Sequence, residues 1–189
     1  NGVSCIALHD MNLPRKNIQV ARSFRPELTS IDDVQAAIAT FVTRAMEKLR
    51  AQQSLVQCIT VFARSNPFQK DTPHYRKALS VGFLTATNDT FVAMKGARMA
   101  LKRVMVSGVS IKKAGVVLSE ITDDTSVQES LFDQARVNPL MAVLDGINQR
   151  YGRDTIQLAN QKRYTQKRRS PPWVSPQYTT QWSDVLTVS

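Results

Sequence analysis

Residues 29–64 read TSIDDVQAAIATFVTRAMEKLRAQQSLVQCITVFAR, and the period of their apolar positions changes once along the stretch. Val34, Ile38, Phe41, Ala45 and Leu49 recur at spacings of four and three, which makes one stripe of an α-helix. Arg44, Glu47, Lys48 and Arg50 lie off that stripe. Ser30 with Asp33 three residues later is a helix-start signal, so a helix is expected over Thr29–Gln53. From Val56 to Arg64 the residues are mostly β-branched, aromatic or small and apolar, a composition that suits a strand.

The neighbouring segments extend this pattern in both directions. Ile18–Phe24 reads as a strand before the helix. Asn66-Pro67 ends the second strand, residues 69–73 form a polar loop, and Tyr75–Leu84 reads as a third strand. Asn88-Asp89 then caps a second helix, Thr90–Met105, whose stripe is Met94, Ala97, Leu101 and Val104. Gly108 closes that unit and Val109–Leu118 is a fourth strand. The order β-α-β-β-α-β over residues 17–123 is a split-βαβ, ferredoxin-like pattern. The expected class is α+β, a four-stranded antiparallel sheet with both helices on one face and the other face open. Arg22, Arg25, Arg64, Arg76, Lys77, Lys112 and Lys113 fall on or beside strands and are the candidate phosphate contacts.

Charge points the same way. The chain has 25 Lys and Arg against 15 Asp and Glu, a net charge of +10 and a pI near 10.0. Such a surface attracts phosphate polyanions; an anionic membrane surface or an acidic protein are the other partners that charge allows. There is no apolar run of about 18 residues to span a membrane and no secretory signal. The absence of an initiator Met suggests that the chain begins inside a longer protein or was processed. Two distant cysteines, Cys5 and Cys58, are not a disulfide framework and suit a reducing cytoplasm. Cys58, in an apolar run, is expected in the core.

No catalytic constellation stands out. His9 and His74 have no Cys or carboxylate at metal-ligand spacing. Neither GxxxxGK[ST] nor GxGxxG after a strand occurs. The pairs Asp32-Asp33 and Asp123-Asp124 read as a helix start and a linker. After that linker come Gln128–Asp133, then a short helix, Leu140–Tyr151, with Leu140, Val143, Leu144 and Ile147 on one side. A basic stretch follows, with Lys162, Arg163, Lys167, Arg168 and Arg169, and then a Pro- and aromatic-rich end.

Several segments in this order resemble the C-terminal region of the UmuC-type, MucB-like translesion DNA polymerases of the Y-family. They are Val20-Ala21-Arg22-Ser23-Phe24, Arg44–Arg50, Val61-Phe62 with Ser65–Phe68, Lys113–Leu118, Leu144–Asn148 and Ser175–Trp182. The resemblance implies that residues 17–124 are a little-finger, DNA-binding domain of the expected architecture. Residues 1–16 would then be a linker from a catalytic core, 125–139 a second linker, and 140–189 a UmuC-type tail. Where the family commonly has Gly after the Arg-Ser-Phe segment, this chain has Arg25 followed by Pro26. Gln128-Glu129-Ser130-Leu131-Phe132 resembles the QxxLF-type peptide that docks on the sliding clamp, through Gln128, Leu131 and Phe132; Glu129 stands where Leu is common.

By the same resemblance the fragment would lack the polymerase carboxylates and need no cofactor, the parent polymerase using Mg2+. It would grip primer–template or damaged DNA during the SOS response, in a bacterial cytoplasm. A UmuD′-like dimer and RecA are further partners that the resemblance implies, with the basic residues 162–169 as possible tail contacts. A stand-alone RNA-binding module of the same element order, or a protein-interaction module, are the alternatives. The aromatic RNP pattern of an RRM is missing from the strands.

Overall fold

The computed structural model describes residues 14–69, 74–106, 108–123, 139–161, 176, 181 and 182. The helix read first, α1, spans Ile31–Ala51. Ser30 is its N-cap, and its hydroxyl accepts from the Asp32 backbone N–H at 3.2 Å. Asp32 and Asp33 in the first turn and Lys48 and Arg50 in the last complement the helix dipole. All five stripe residues are buried. The second helix, α2, spans Thr90–Val104. Its N-cap is Asp89, whose carboxylate accepts from the Phe91 N–H at 2.7 Å.

Four strands complete the unit: β1 (Ile18–Leu28), β2 (Ser54–Arg64), β3 (Arg76–Thr87) and β4 (Ile111–Asp123). The element order is the one expected, and the strands run longer than the sequence pattern marks. Asp123, expected in a linker, is the last residue of β4. β1 continues through a cis Arg25–Pro26 bond, across an irregularity between the pairs Ser23–Lys113 and Leu28–Ile111. The sheet order is β1-β4-β2-β3 and every neighbouring pair is antiparallel. Both βαβ units are therefore split: β4 lies between β1 and β2, and β2 lies between β3 and β4.

Both helices pack on one face of this sheet and against each other. Ile59, Val61, Ala63, Ala114, Val116 and Leu118 point into that layer with the apolar stripes of α1 and α2. Each fully buried large apolar side chain there, such as Phe41, Leu49 or Ile59, contributes about 1.5–3 kcal/mol. Helix and sheet meet closely at Gly96, where a Cβ would lie 2.8 Å from the Phe83 ring.

A 3-10 turn (Ala159–Gln161) lies on α1, and a third helix, α3 (Pro139–Tyr151), is tied to α1 through side chains. The expected apolar side of α3 is corrected here. Met141 and Leu144 are buried, whereas Leu140 and Val143 are more than half exposed. The helix turns inward the side that carries Asp145, because Asp145 forms a two-point ion pair with Arg50 of α1 at 2.5 and 2.8 Å. Arg50 also donates to the Asn88 carbonyl at 3.0 Å and to the Thr90 hydroxyl at 2.8 Å. A second ion pair, Arg44 with Asp154 at 2.9 Å, holds the turn after α3. No helix among the described residues is long and apolar enough to cross a membrane.

Candidate nucleic-acid interface

With the described helices on one side, the opposite sheet face is left open by the described residues. Residues paired across strands point to the same face, and neighbours along a strand point to opposite faces. The register therefore assigns each side chain. Ala114, Val116 and Leu118 of β4 are buried under the helices, so Lys113, Gly115, Val117 and Ser119 face outward. On β2 the outward set is Cys58, Thr60, Phe62 and Arg64; on β3 it is Arg76, Ala78, Ser80 and Gly82; on β1 it is Gln19, Ala21 and Ser23.

These positions form rows across the sheet. Ser23 pairs with Lys113, Lys113 with Arg64, and Arg64 with Arg76. One row thus carries three cations on three adjacent strands. The next is small and flat: Ala21, Gly115, Phe62 and Ala78. A Cβ on Gly115 would lie 2.8 Å from the Phe62 ring and 2.4 Å from the Ala21 Cβ, so the glycine lets the ring lie against the sheet. The third row, Gln19, Val117, Thr60 and Ser80, brings hydroxyls and an amide. Thr60 and Ser80 share a hydrogen bond at 2.8 Å. None of the positions in these three rows is a carboxylate.

Like charges placed directly opposite one another repel and destabilise a sheet. Arg64 has a cation on both sides. Such a row makes chemical sense where anions come between the charges. A phosphate backbone laid along it would find cations in one row and neutral hydrogen-bonding groups four residues further on, across a flat apolar strip.

Three of the seven candidate contacts, Arg64, Arg76 and Lys113, are brought together in this way. Arg22 and Lys77 are placed on the helix side, at the two edges of the sheet, because their partners Ala114 and Ala63 are buried. The Lys77 ammonium lies 5.9 Å from the centre of the Tyr75 ring. Tyr75 is itself fixed: its N–H donates to the Ser65 hydroxyl at 2.8 Å, and its own hydroxyl donates to the Val104 carbonyl. Burial holds its pKa above the ordinary 10.0. Lys112 alternates with Lys113 and is half-buried; Arg25 sits at the irregular part of β1. Cys58, expected in the core, is half-buried on the open face instead. Gln128, Leu131 and Phe132 lie outside the described residues, as do Lys162, Arg163, Lys167, Arg168 and Arg169. Gln19, Ser23, Thr60 and Ser80 had no signal in the sequence, since polar strand residues become a surface once their register is known. Among the described residues no three His, Cys, Asp or Glu side chains are grouped to hold a metal ion.

Residues 15–131 match the model of the impB/mucB/samB family C-terminal domain, and residues 138–188 match a domain of unknown function, DUF4113. The chain is 34% identical to Protein SamB of Salmonella typhimurium, over 98% of this chain and 44% of that protein. It is 31% identical to Protein UmuC of Salmonella typhimurium LT2, over 99% and 45%, and 32% identical to Protein MucB of Escherichia coli, over 97% and 44%. The chain thus spans less than half the length of these relatives. Among solved structures it is similar to an insertion ternary complex of Dbh DNA polymerase, at 13% identity and a TM-score of 0.46, covering 57% of this chain and 29% of that one. It is also similar to a complex of the beta-clamp processivity factor with the little finger domain of PolIV, at 12% identity and a TM-score of 0.43, covering 62% and 99%.

Proposed function

The chain belongs to the impB/mucB/samB family, whose C-terminal domain it carries, and on that premise we propose that its open sheet face grips the phosphate backbone of primer–template DNA for a translesion polymerase. The observation that carries the reading is the row Lys113, Arg64 and Arg76, with no carboxylate in it or in the two rows beside it. Phosphate contacts position a protein on DNA without reading sequence. That suits a polymerase that must follow damaged templates, and we place this one in the SOS response.

The segment Gln128–Phe132 supplies the second half of the proposal, a tether to the sliding clamp. It follows the end of β4 at Asp123. Leu131 and Phe132 would fill an apolar pocket, each contributing roughly 1.5–3 kcal/mol, while ordering the segment offsets much of that. Weak clamp affinity, on the order of micromolar, is strengthened when DNA is held at the same time. The metal-dependent chemistry belongs, on this reading, to the remainder of a longer protein. A UmuD′-like dimer and RecA would be partners of that complex.

The test is fluorescence anisotropy with primer–template duplexes of unrelated sequence, from about 50 to 200 mM salt. Three phosphate contacts give a log–log slope of about −2.7, equal for all duplexes. A slope near zero, or one preferred sequence, would overturn the reading. For the tether, a Leu131→Ala, Phe132→Ala variant should lose clamp binding while keeping its DNA affinity.

A further inference from the structure

On the other side of the molecule, α2 buries Ala93, Gly96, Ala97, Ala100, Leu101 and Val104 against the sheet and α1. Its remaining surface has an unusual composition. Lys95, Arg98, Lys102 and Arg103 are all exposed, and the helix contains no Asp or Glu. None of these four cations has an ion-pair partner among the described residues. The other exposed members of the arc are apolar: Phe91 at 41%, Val92 at 39% and Met99 at 58%.

The spacing orders these side chains. Phe91, Lys95, Arg98 and Lys102 stand four, three and four residues apart, so they form one line along the helix. At a rise of about 1.5 Å per residue the line is roughly 16 Å long. Val92, Met99 and Arg103 run beside it. A solvated helix face would intersperse both signs of charge and neutral polar residues. The exposed residues of this arc are cations and apolar side chains and nothing else.

We propose that the outer arc of α2 is a second nucleic-acid surface, one that takes single-stranded DNA. Two features favour that ligand. The acid-free row of cations is complementary to a phosphate chain. The apolar side chains of the arc, Phe91 at the start of the line above all, offer surfaces on which unpaired bases stack; in a duplex the base faces are already used. The surface lies on the helix side of the sheet, so a strand on α2 does not compete for the face that carries Lys113, Arg64 and Arg76. The inference rests on the proposed DNA-binding role in naming DNA as the polyanion, and the experiment separates the two.

Two triple variants of the full 189-residue chain serve: Lys95→Gln, Arg98→Gln, Lys102→Gln on α2, and Arg64→Gln, Arg76→Gln, Lys113→Gln on the sheet. Circular dichroism and thermal melts establish that each is folded. Each is titrated with an oligo(dT) probe, a hairpin duplex and poly-glutamate between about 50 and 200 mM salt. Removing three phosphate contacts lowers the single-strand slope by about 2.1, so across that range the wild type loses about 18-fold more oligo(dT) affinity than the α2 variant. Duplex binding by the α2 variant should match the wild type.

The inference is overturned if the α2 variant binds oligo(dT) as the wild type does, or if it loses duplex and single strand in equal measure. It is also overturned if that variant loses poly-glutamate alone, which would assign the arc to an acidic protein. Selective loss of oligo(dT) in the α2 variant, beside full duplex affinity in the sheet variant, would support this inference and sink the sheet-face proposal.

Discussion

Replacing Arg64 by Gln should weaken DNA binding and stabilise the protein at the same time. Arg64 lies on β2 with Lys113 opposite it on β4 and Arg76 opposite it on β3. Like charges directly opposite cost roughly 0.2–1 kcal/mol per pair, and exposed charges in salt sit at the low end of that range. Two opposed pairs relieved at once therefore give a gain of about half a kcal/mol at low ionic strength. Gln keeps the aliphatic stem and a hydrogen-bond donor, so strand packing is preserved. One lost phosphate contact reduces the salt slope by about 0.9. Between about 50 and 200 mM salt the wild type should then lose about 3.5-fold more duplex affinity than the variant. Urea melts at low and high salt, beside anisotropy titrations over the same salts, measure both quantities. The stability gain should shrink as salt rises. A variant that is destabilised at low salt, or one that keeps the wild-type slope, would refute the claim that the three cations form one mutually repelling, phosphate-facing row.

The remaining expectations concern stability and the docked helix. Arg50→Met removes the Asp145 ion pair and the bonds to Asn88 and Thr90; charge-assisted bonds of this kind are worth about 1.5–3 kcal/mol each, so urea melts should show at least that loss and α3 should become sensitive to protease. Gly115→Ala forces a Cβ to within 2.8 Å of the Val20 carbonyl oxygen, a backbone atom that cannot swing aside. It should cost about 1–3 kcal/mol, and a melt unchanged from wild type would contradict the register. Asp89→Ala removes the cap of α2 and should cost about 1 kcal/mol in the same assay. Burial raises the Tyr75 pKa, so the folded state holds its proton longer than the unfolded chain. The resulting stability is intact below the ordinary tyrosine value and is lost as pH rises through the folded value. A Tyr75→Phe variant should show a shallower decline in alkaline melts.

Much of this architecture is local in origin. The stripe from Val34 to Leu49, the caps at Ser30 and Asp89, and the apolar run through β2 act over a few residues, so the order β-α-β-β-α-β can be read from the chain alone. So can the basic character of the surface, because net charge depends on composition and not on conformation. Strand order is a different matter. That β4 inserts between β1 and β2 depends on which apolar faces pack together over separations of about fifty residues or more. Register decides the site in the same way. Lys112 and Lys113 are adjacent in sequence and lie on opposite sides of the sheet, and Arg64 and Arg76 join Lys113 because their strands pair residue for residue. Seven cations near strands are equivalent in a sequence; alternation across a paired sheet separates them. The packing of α3 follows the same rule. Its apolar residues permit more than one inward side, and a partner 95 residues away, Arg50, selects the side that carries Asp145.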